Sequence, residues 1–105
     1  MTKVYVDASV FTKVRAFGRV SGNIDVLIIP QVGDHVAFGP RGSPSDFAAI
    51  DLLRVTDRII SANGDAPVSL SLVDITVETD DDARKVVRFL EESHGLFGET
   101  WEDDA

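Results

Sequence analysis

The sequence predicts an α+β fold, in which a curled, mostly antiparallel sheet of about five strands forms a small open barrel closed by one C-terminal helix. Three observations predict it. Residues 3–17 alternate between two kinds of side chain with the period of a strand. Turns rich in glycine, proline, asparagine and aspartate separate later apolar runs, as at residues 30–34 and 63–67. Residues 80–94 carry the apolar spacing of an amphipathic helix.

The first element is a long amphipathic strand. The even positions carry Val4, Val6, Ala8, Val10, Thr12, Val14 and Ala16, and the odd positions carry Lys3, Tyr5, Asp7, Ser9, Phe11, Lys13, Arg15 and Phe17. We expect the even side chains to face the core and the odd ones to face outward. Strands average about five or six residues, so this one must bend, or split near residues 7–9.

Turn residues divide the next stretch. Residues 21–23 predict a turn, and the nearly continuous apolar run at 24–29 predicts a strand buried on both faces. Pro30 cannot donate to a sheet ladder, so it ends that strand, and Gly33-Asp34 turns the chain into the strand at 35–38. This turn and strand resemble those of SH3-like small barrels, which implies a fold and no function.

A helix start follows a loop of glycine and proline. Ser43 can cap a helix that begins at Pro44, which predicts a short helix over residues 44–53 with Ile50 and Leu53 on one face. The alternative is that residue 50 already begins the next strand. The loop at 39–43 could hold an anion, but it lacks the lysine and the glycine spacing of phosphate loops, so a connecting loop is the simpler interpretation.

The second half predicts two strands and the helix. Strands at 54–61 and 68–77 flank the turn at 63–67, and a slip of the apolar period at residues 72–73 indicates a β-bulge or a change of covered face. Thr79 caps the helix, whose buried stripe is Ala83, Val86, Val87 and Leu90, and His94 with Gly95 ends it. We expect one domain over residues 1–95 and an acidic aromatic tail over 96–105.

The composition limits the possible classes of protein. The chain of 105 residues has no cysteine, no apolar run fit for a signal peptide and none long enough for a membrane span. We therefore predict a cytoplasmic protein without membrane contact. The net charge of −8 argues against general nucleic-acid binding, because phosphate backbones repel it. That charge is uneven: residues 1–20 sum to +3, and residues 74–105 sum to −8.

No group of residues predicts catalysis or metal binding. His35 and Asp34 are adjacent on a strand, so they point to opposite faces and the carboxylate cannot orient the imidazole. His94 is explained by the helix end. The acids between residues 74 and 82 lack the glycine and the alternating ligands of a calcium loop. We expect no enzyme activity, no catalytic residue, no metal and no cofactor.

Exposed aromatic residues predict an interaction module instead. The predicted interaction residues are Phe97, Trp101, Tyr5, Phe11, Phe17, Lys13 and Arg15. The leading hypothesis is a non-enzymatic module that binds a protein partner or a second copy of itself, with an aromatic anchor inside an acidic rim. The alternatives are an acidic inhibitor that imitates nucleic acid, and a small-ligand or nucleic-acid site on the basic-aromatic face of the first strand. The tail could also dock on that face of its own domain.

Overall fold

The computed structural model describes residues 1–39 and 49–101, and these contain seven strands and one helix. The strands are β1 (Thr2–Thr12), β2 (Ala16–Val26), β3 (His35–Val36), β4 (Leu53–Ile59), β5 (Val68–Leu72), β6 (Ile75–Val77) and β7 (Phe97–Thr100), and the helix is α1 (Asp80–His94).

The strands form one sheet in the order β3-β4-β5-β1-β2-β7, and β6 continues beside β1 beyond the end of β5. The central strand β1 pairs antiparallel with β2 and parallel with β5 and β6. The other pairs, β3 with β4, β4 with β5 and β2 with β7, are antiparallel. The sheet curls into an open half-barrel with one C-terminal helix, which confirms the predicted α+β class.

The N-terminal stretch is a hairpin rather than one bent strand. The even side chains from Val4 to Thr12 are buried as predicted, but the chain reverses at residues 13–15 and not at residues 7–9. The Thr12 hydroxyl accepts hydrogen bonds from the amides of Val14 and Arg15, both at 3.3 Å, which holds the turn. Val14 therefore stands in a turn with 87% of its surface exposed, and its predicted place in the core is wrong.

A β-bulge after this turn reverses the direction of Phe17. Val10 lies opposite Gly18 and Phe11 lies opposite Ala16, so Phe17 is an extra residue without a partner. The bulge places Phe17 and Gly18 on the same side of the sheet, and both are buried. The prediction that Phe17 faces outward is wrong, since its side chain is fully enclosed in the core, whereas Ala16 is exposed.

The predicted turn at residues 21–23 is also wrong. Strand β2 runs through them to Val26, and Gly22 lies opposite Val6 with a φ of 150°, which residues with side chains rarely adopt. The buried strand expected over 24–29 ends early, and Leu27 and Ile28 are each 82% exposed. The glycine that indicated a turn instead lets the strand continue in a conformation that only glycine takes easily.

The predicted turn at Gly33-Asp34 is confirmed, and the short strand β3 follows it. The amide of Gly33 donates to the Val55 carbonyl at 2.9 Å, and His35 faces solvent while Val36 is half-buried. The predicted helix start at Ser43 and most of the loop at 39–43 lie outside the described residues. Beyond them Ile50 is fully buried, and Leu53 begins β4.

The C-terminal half follows its local signals closely. Gly64 takes the positive φ of 69° in the turn at 63–67, and the strand predicted over 68–77 breaks after Leu72, where the apolar period slips. The Thr79 hydroxyl accepts from the Asp82 amide at 3.2 Å, and Gly95 ends α1 in the left-handed conformation. The buried stripe of the helix packs on the sheet as predicted.

The core between the sheet and the helix is closely filled. Its largest enclosed side chains are Phe17, Ile50, Leu70, Ile75 and Leu90. A void of about 10 Å³, bordered by residues such as Val20, Leu53 and Leu96, is large enough for one water molecule at most. This void is too small for an organic ligand.

Candidate interaction surface

The C-terminal segment is part of the sheet and forms its last strand. After Gly95 turns the chain away from α1, Leu96 buries its side chain, and β7 pairs with β2 in the register that places Phe97 opposite Ser21. The amide of Trp101 donates to the Phe17 carbonyl at 2.7 Å, which extends the ladder by one residue. We call residues 97–101 the β7 edge.

Two glycines allow this close docking. A Cβ atom on Gly18 would lie 2.1 Å from the carbonyl oxygen of Glu99, and one on Gly98 would lie 2.5 Å from the Cγ1 atom of Val87 in α1. Both positions would clash with any larger residue, so β7 fits between β2 and the helix only because neither glycine carries a side chain.

The β7 edge presents two large apolar side chains to solvent. Side chains alternate along a strand, so Phe97, Glu99 and Trp101 share the face of the sheet opposite to α1, whereas Gly98 faces the helix. Phe97 is 68% exposed and Trp101 is 45% exposed. The structure thus places these two predicted residues on one face of the same strand, about 13 Å apart along it and on either side of Glu99.

The other predicted aromatic residues lie elsewhere. Tyr5 and Phe11 are on β1, half-buried on the same outer face, with β2 between them and β7. Neighbouring strands are about 4.8 Å apart, so the two groups of rings are separated by roughly 10 Å. Polar side chains such as Asp7 and Ser21 occupy the sheet between them. Phe17 belongs to the core and is absent from this face.

The basic residues of the N-terminal segment are all engaged in ion pairs. The pairs are Lys3 with Asp25 at 3.5 Å, Lys13 with Glu78 at 2.8 Å, Arg15 with Asp80 at 2.7 Å and Arg19 with Asp7 at 3.2 Å. Exposed pairs contribute little to stability, but they balance the charge locally. The +3 of the first 20 residues therefore does not form a positive surface. Sequence reasoning missed this because most partners are distant in the chain.

Carboxylates surround the β7 edge on both faces. Glu99 is exposed on the outer face, opposite Arg19, which bonds to Asp7. On the helix side, the Oε2 atom of Glu91 lies 3.0 Å from where a Cβ on Gly98 would be. In the sequence, three acids follow Trp101 directly, at residues 102–104. Among the described residues, Glu99 and Glu91 thus place one carboxylate on each face of the β7 edge.

The histidines have structural explanations. The carboxylate of Asp34 accepts from the Gln31 amide at 2.8 Å and stabilises the turn before the exposed His35. His94 donates from Nε2 to the Phe38 carbonyl at 2.8 Å, and its ring packs edge-on against Phe38 and Phe89. This contact ties the end of α1 to the chain beyond β3, and no sequence signal pointed to it.

Within residues 1–39 and 49–101, no three potential metal ligands cluster together. The one helix in those residues is neither long nor apolar enough to cross a bilayer. Comparison with protein-family models, curated proteins and solved structures finds no match to this chain. Among the residues predicted for interaction, Phe97 and Trp101 on the β7 edge are the two large apolar side chains that the structure leaves exposed.

Proposed function

We propose that this chain is a non-enzymatic interaction module that binds a protein partner through the β7 edge. The observation that carries the proposal is the exposure of Phe97 and Trp101 on one face of an edge strand. The core is complete without them, because Leu96 and the buried stripe of α1 fill the space behind β7. Aromatic residues are enriched at the centres of protein interfaces, and tryptophan is enriched among the residues that contribute most to binding.

The backbone arrangement supports this role. The ladder with β2 and the hydrogen bond from Trp101 to Phe17 fix the main chain, while Phe97 and Trp101 keep 68% and 45% of their surface exposed. Because this main chain is already ordered, a partner that covers the two rings has only their side chains left to order. The β7 edge is therefore preorganised for binding.

Charge distribution favours this proposal over the alternatives. A nucleic-acid or anionic-ligand site on β1 would need free positive charge, whereas Lys13 and Arg15 are paired with Glu78 and Asp80. The same two pairs occupy carboxylates that a nucleic-acid mimic would have to present. Neither objection applies to the β7 edge, where Glu99 is exposed.

The test compares two double variants in affinity capture from a native cell lysate. We expect a stoichiometric protein partner to be retained by the wild type and by the control Tyr5→Ala/Phe11→Ala, and to be lost by Phe97→Ala/Trp101→Ala. Circular dichroism should show that the β7 variant keeps its fold, because neither Phe97 nor Trp101 belongs to the core. Loss of the partner only in the β1 variant, or in neither variant, would contradict the proposal.

A further inference from the structure

The β7 edge has an open side, and this extends the proposed function on which the following inference rests. Strand β7 is the last in the order of the sheet, so among residues 1–39 and 49–101 no strand pairs with its outer side. We propose that a basic, extended segment of the partner binds there as an additional strand, by main-chain pairing with β7.

The direction of the backbone groups can be derived from the ladder. The Trp101 amide points at β2, where it donates to Phe17, and the Glu99 carbonyl also points at β2. Backbone groups alternate along a strand, so the amides and carbonyls of Gly98 and Thr100 point away from β2, toward the open side. These two residues offer the hydrogen bonds that an added strand requires.

The edge carries little of the protection that usually prevents such pairing. Natural edge strands are often blocked by proline, lysine or a bulge. Residues 96–101 contain neither proline nor lysine, and the pairing of β7 with β2 is continuous. Glu99 is the single charged residue in this segment, so protection comes only from its charge and from the shortness of the strand.

The side chains of β7 define what the added strand should contain. On the outer face, an alternating pattern of apolar, basic and apolar residues would place the apolar pair beside Phe97 and Trp101 and the basic residue beside Glu99. An arginine next to Trp101 could also stack on its ring. On the helix side the absent side chain of Gly98 leaves space near Glu91, which favours a small or basic residue.

Charge also favours a basic partner segment over a second copy of this chain as the strand that pairs with β7. Symmetric antiparallel pairing of two β7 strands centred on Glu99 would place Phe97 opposite Trp101, but it would also place the two Glu99 carboxylates against each other. Each chain carries a net charge of −8, to which the three acids that follow Trp101 in the sequence contribute. A basic partner segment is instead attracted both by Glu99 and by the net negative charge of the chain.

The experiment titrates the protein with a capped peptide, Lys-Val-Thr-Lys-Thr-Val-Lys, and follows the backbone amide resonances of every variant, because Phe97→Ala/Trp101→Ala lacks the one tryptophan of the chain. The matched peptide has glutamate in place of each lysine. The decisive variant is Thr100→Pro, which removes an outward amide without touching the ladder to β2, and its control is Thr100→Ala. Backbone amide resonances report whether Gly98 becomes protected from exchange.

We expect saturable binding of the lysine peptide, protection of Gly98, and a Kd that is raised about tenfold or more in Thr100→Pro relative to Thr100→Ala. If Thr100→Pro and Thr100→Ala bind with equal affinity while Phe97→Ala/Trp101→Ala binds more weakly, strand addition is refuted. The β7 edge would then still be the binding surface. Equal affinity of all variants would refute both. No saturable binding at millimolar peptide, or equal binding of the glutamate peptide, would overturn the inference of a basic strand.

Discussion

Replacement of Gly18 by alanine should release β7 from the sheet. A Cβ at this position would lie 2.1 Å from the Glu99 carbonyl oxygen and 3.0 Å from the Thr100 Cα atom. Both atoms belong to the backbone, so no side-chain rotation can relieve the contact. Gly18 does not take a positive φ, and the effect of the substitution is therefore steric.

The size of the effect follows from this geometry. Real Cβ contacts shorter than 3.0 Å are essentially absent, so β7 must move by about 1 Å. Insertion of a methyl group into a closely packed site typically costs about 1–3 kcal/mol. A strand of four residues, paired on one side only, is a weakly held part of the fold, so we expect it to detach at about this cost.

Two measurements on Gly18→Ala test this reasoning. Detachment of β7 removes the hydrogen bond that orders Trp101, so its fluorescence anisotropy should fall and its quenching by acrylamide should rise under native conditions. Urea denaturation followed by circular dichroism should give a free energy of unfolding lower by about 1–3 kcal/mol. Ser21→Ala on the same strand is the control. Unchanged quenching and an unchanged urea midpoint in Gly18→Ala would refute the docking of β7 on Gly18.

Two further predictions concern stability, and urea denaturation checks both. Thr79→Ala removes the hydroxyl that accepts from Asp82 and should lower the free energy of unfolding by about 1 kcal/mol, whereas Thr79→Ser should retain most of it; equal stability of the two variants would argue against the cap. Val10→Ala should cost about 2 kcal/mol because Val10 is fully buried, while Val14→Ala should change stability by less than about 0.5 kcal/mol. Similar costs for the two valines would place Val14 in the core and contradict the turn at residues 13–15.

The accuracy of the sequence predictions depends on how local their signals are. The helix was predicted well because its cap at Thr79, its apolar stripe and its end at Gly95 all lie within 17 consecutive residues. The change in the alternation of apolar residues after Leu72 was also a local signal, and it marks the break between β5 and β6. Each of these features depends on interactions between neighbours in the chain.

The N-terminal hairpin shows where local reasoning failed. The turn at residues 13–15 contains no glycine, asparagine or proline, and a threonine side chain holds it instead. A period of two continues unchanged through a short turn, so the pattern could not reveal the reversal. The bulge at Phe17 then moved an aromatic residue from the expected outer face into the core. Only the pairing of two strands defines such a bulge.

The candidate site was predicted in part. Composition singled out Phe97 and Trp101, and the idea that the tail docks on its own domain rested on opposite charges at the two ends of the chain. In the structure the contact is instead made by the backbone, through β7 and the bond from Trp101 to the Phe17 carbonyl. The bases that were expected to attract the tail have other partners. Lys13 pairs with Glu78, which precedes α1, and Arg15 pairs with Asp80 at the start of α1.

A usable signal for this docking lay in the glycines. Gly18, Gly22 and Gly98 interrupt strands at positions where a side chain would meet β7, the residue before it, or the helix. Glycine weakens a strand unless another backbone must come close, so glycines in two apolar strands indicate close packing as readily as turns. Because the backbone supplies the docking of β7, Phe97 and Trp101 are not needed for it. Both rings are therefore available to contact a partner.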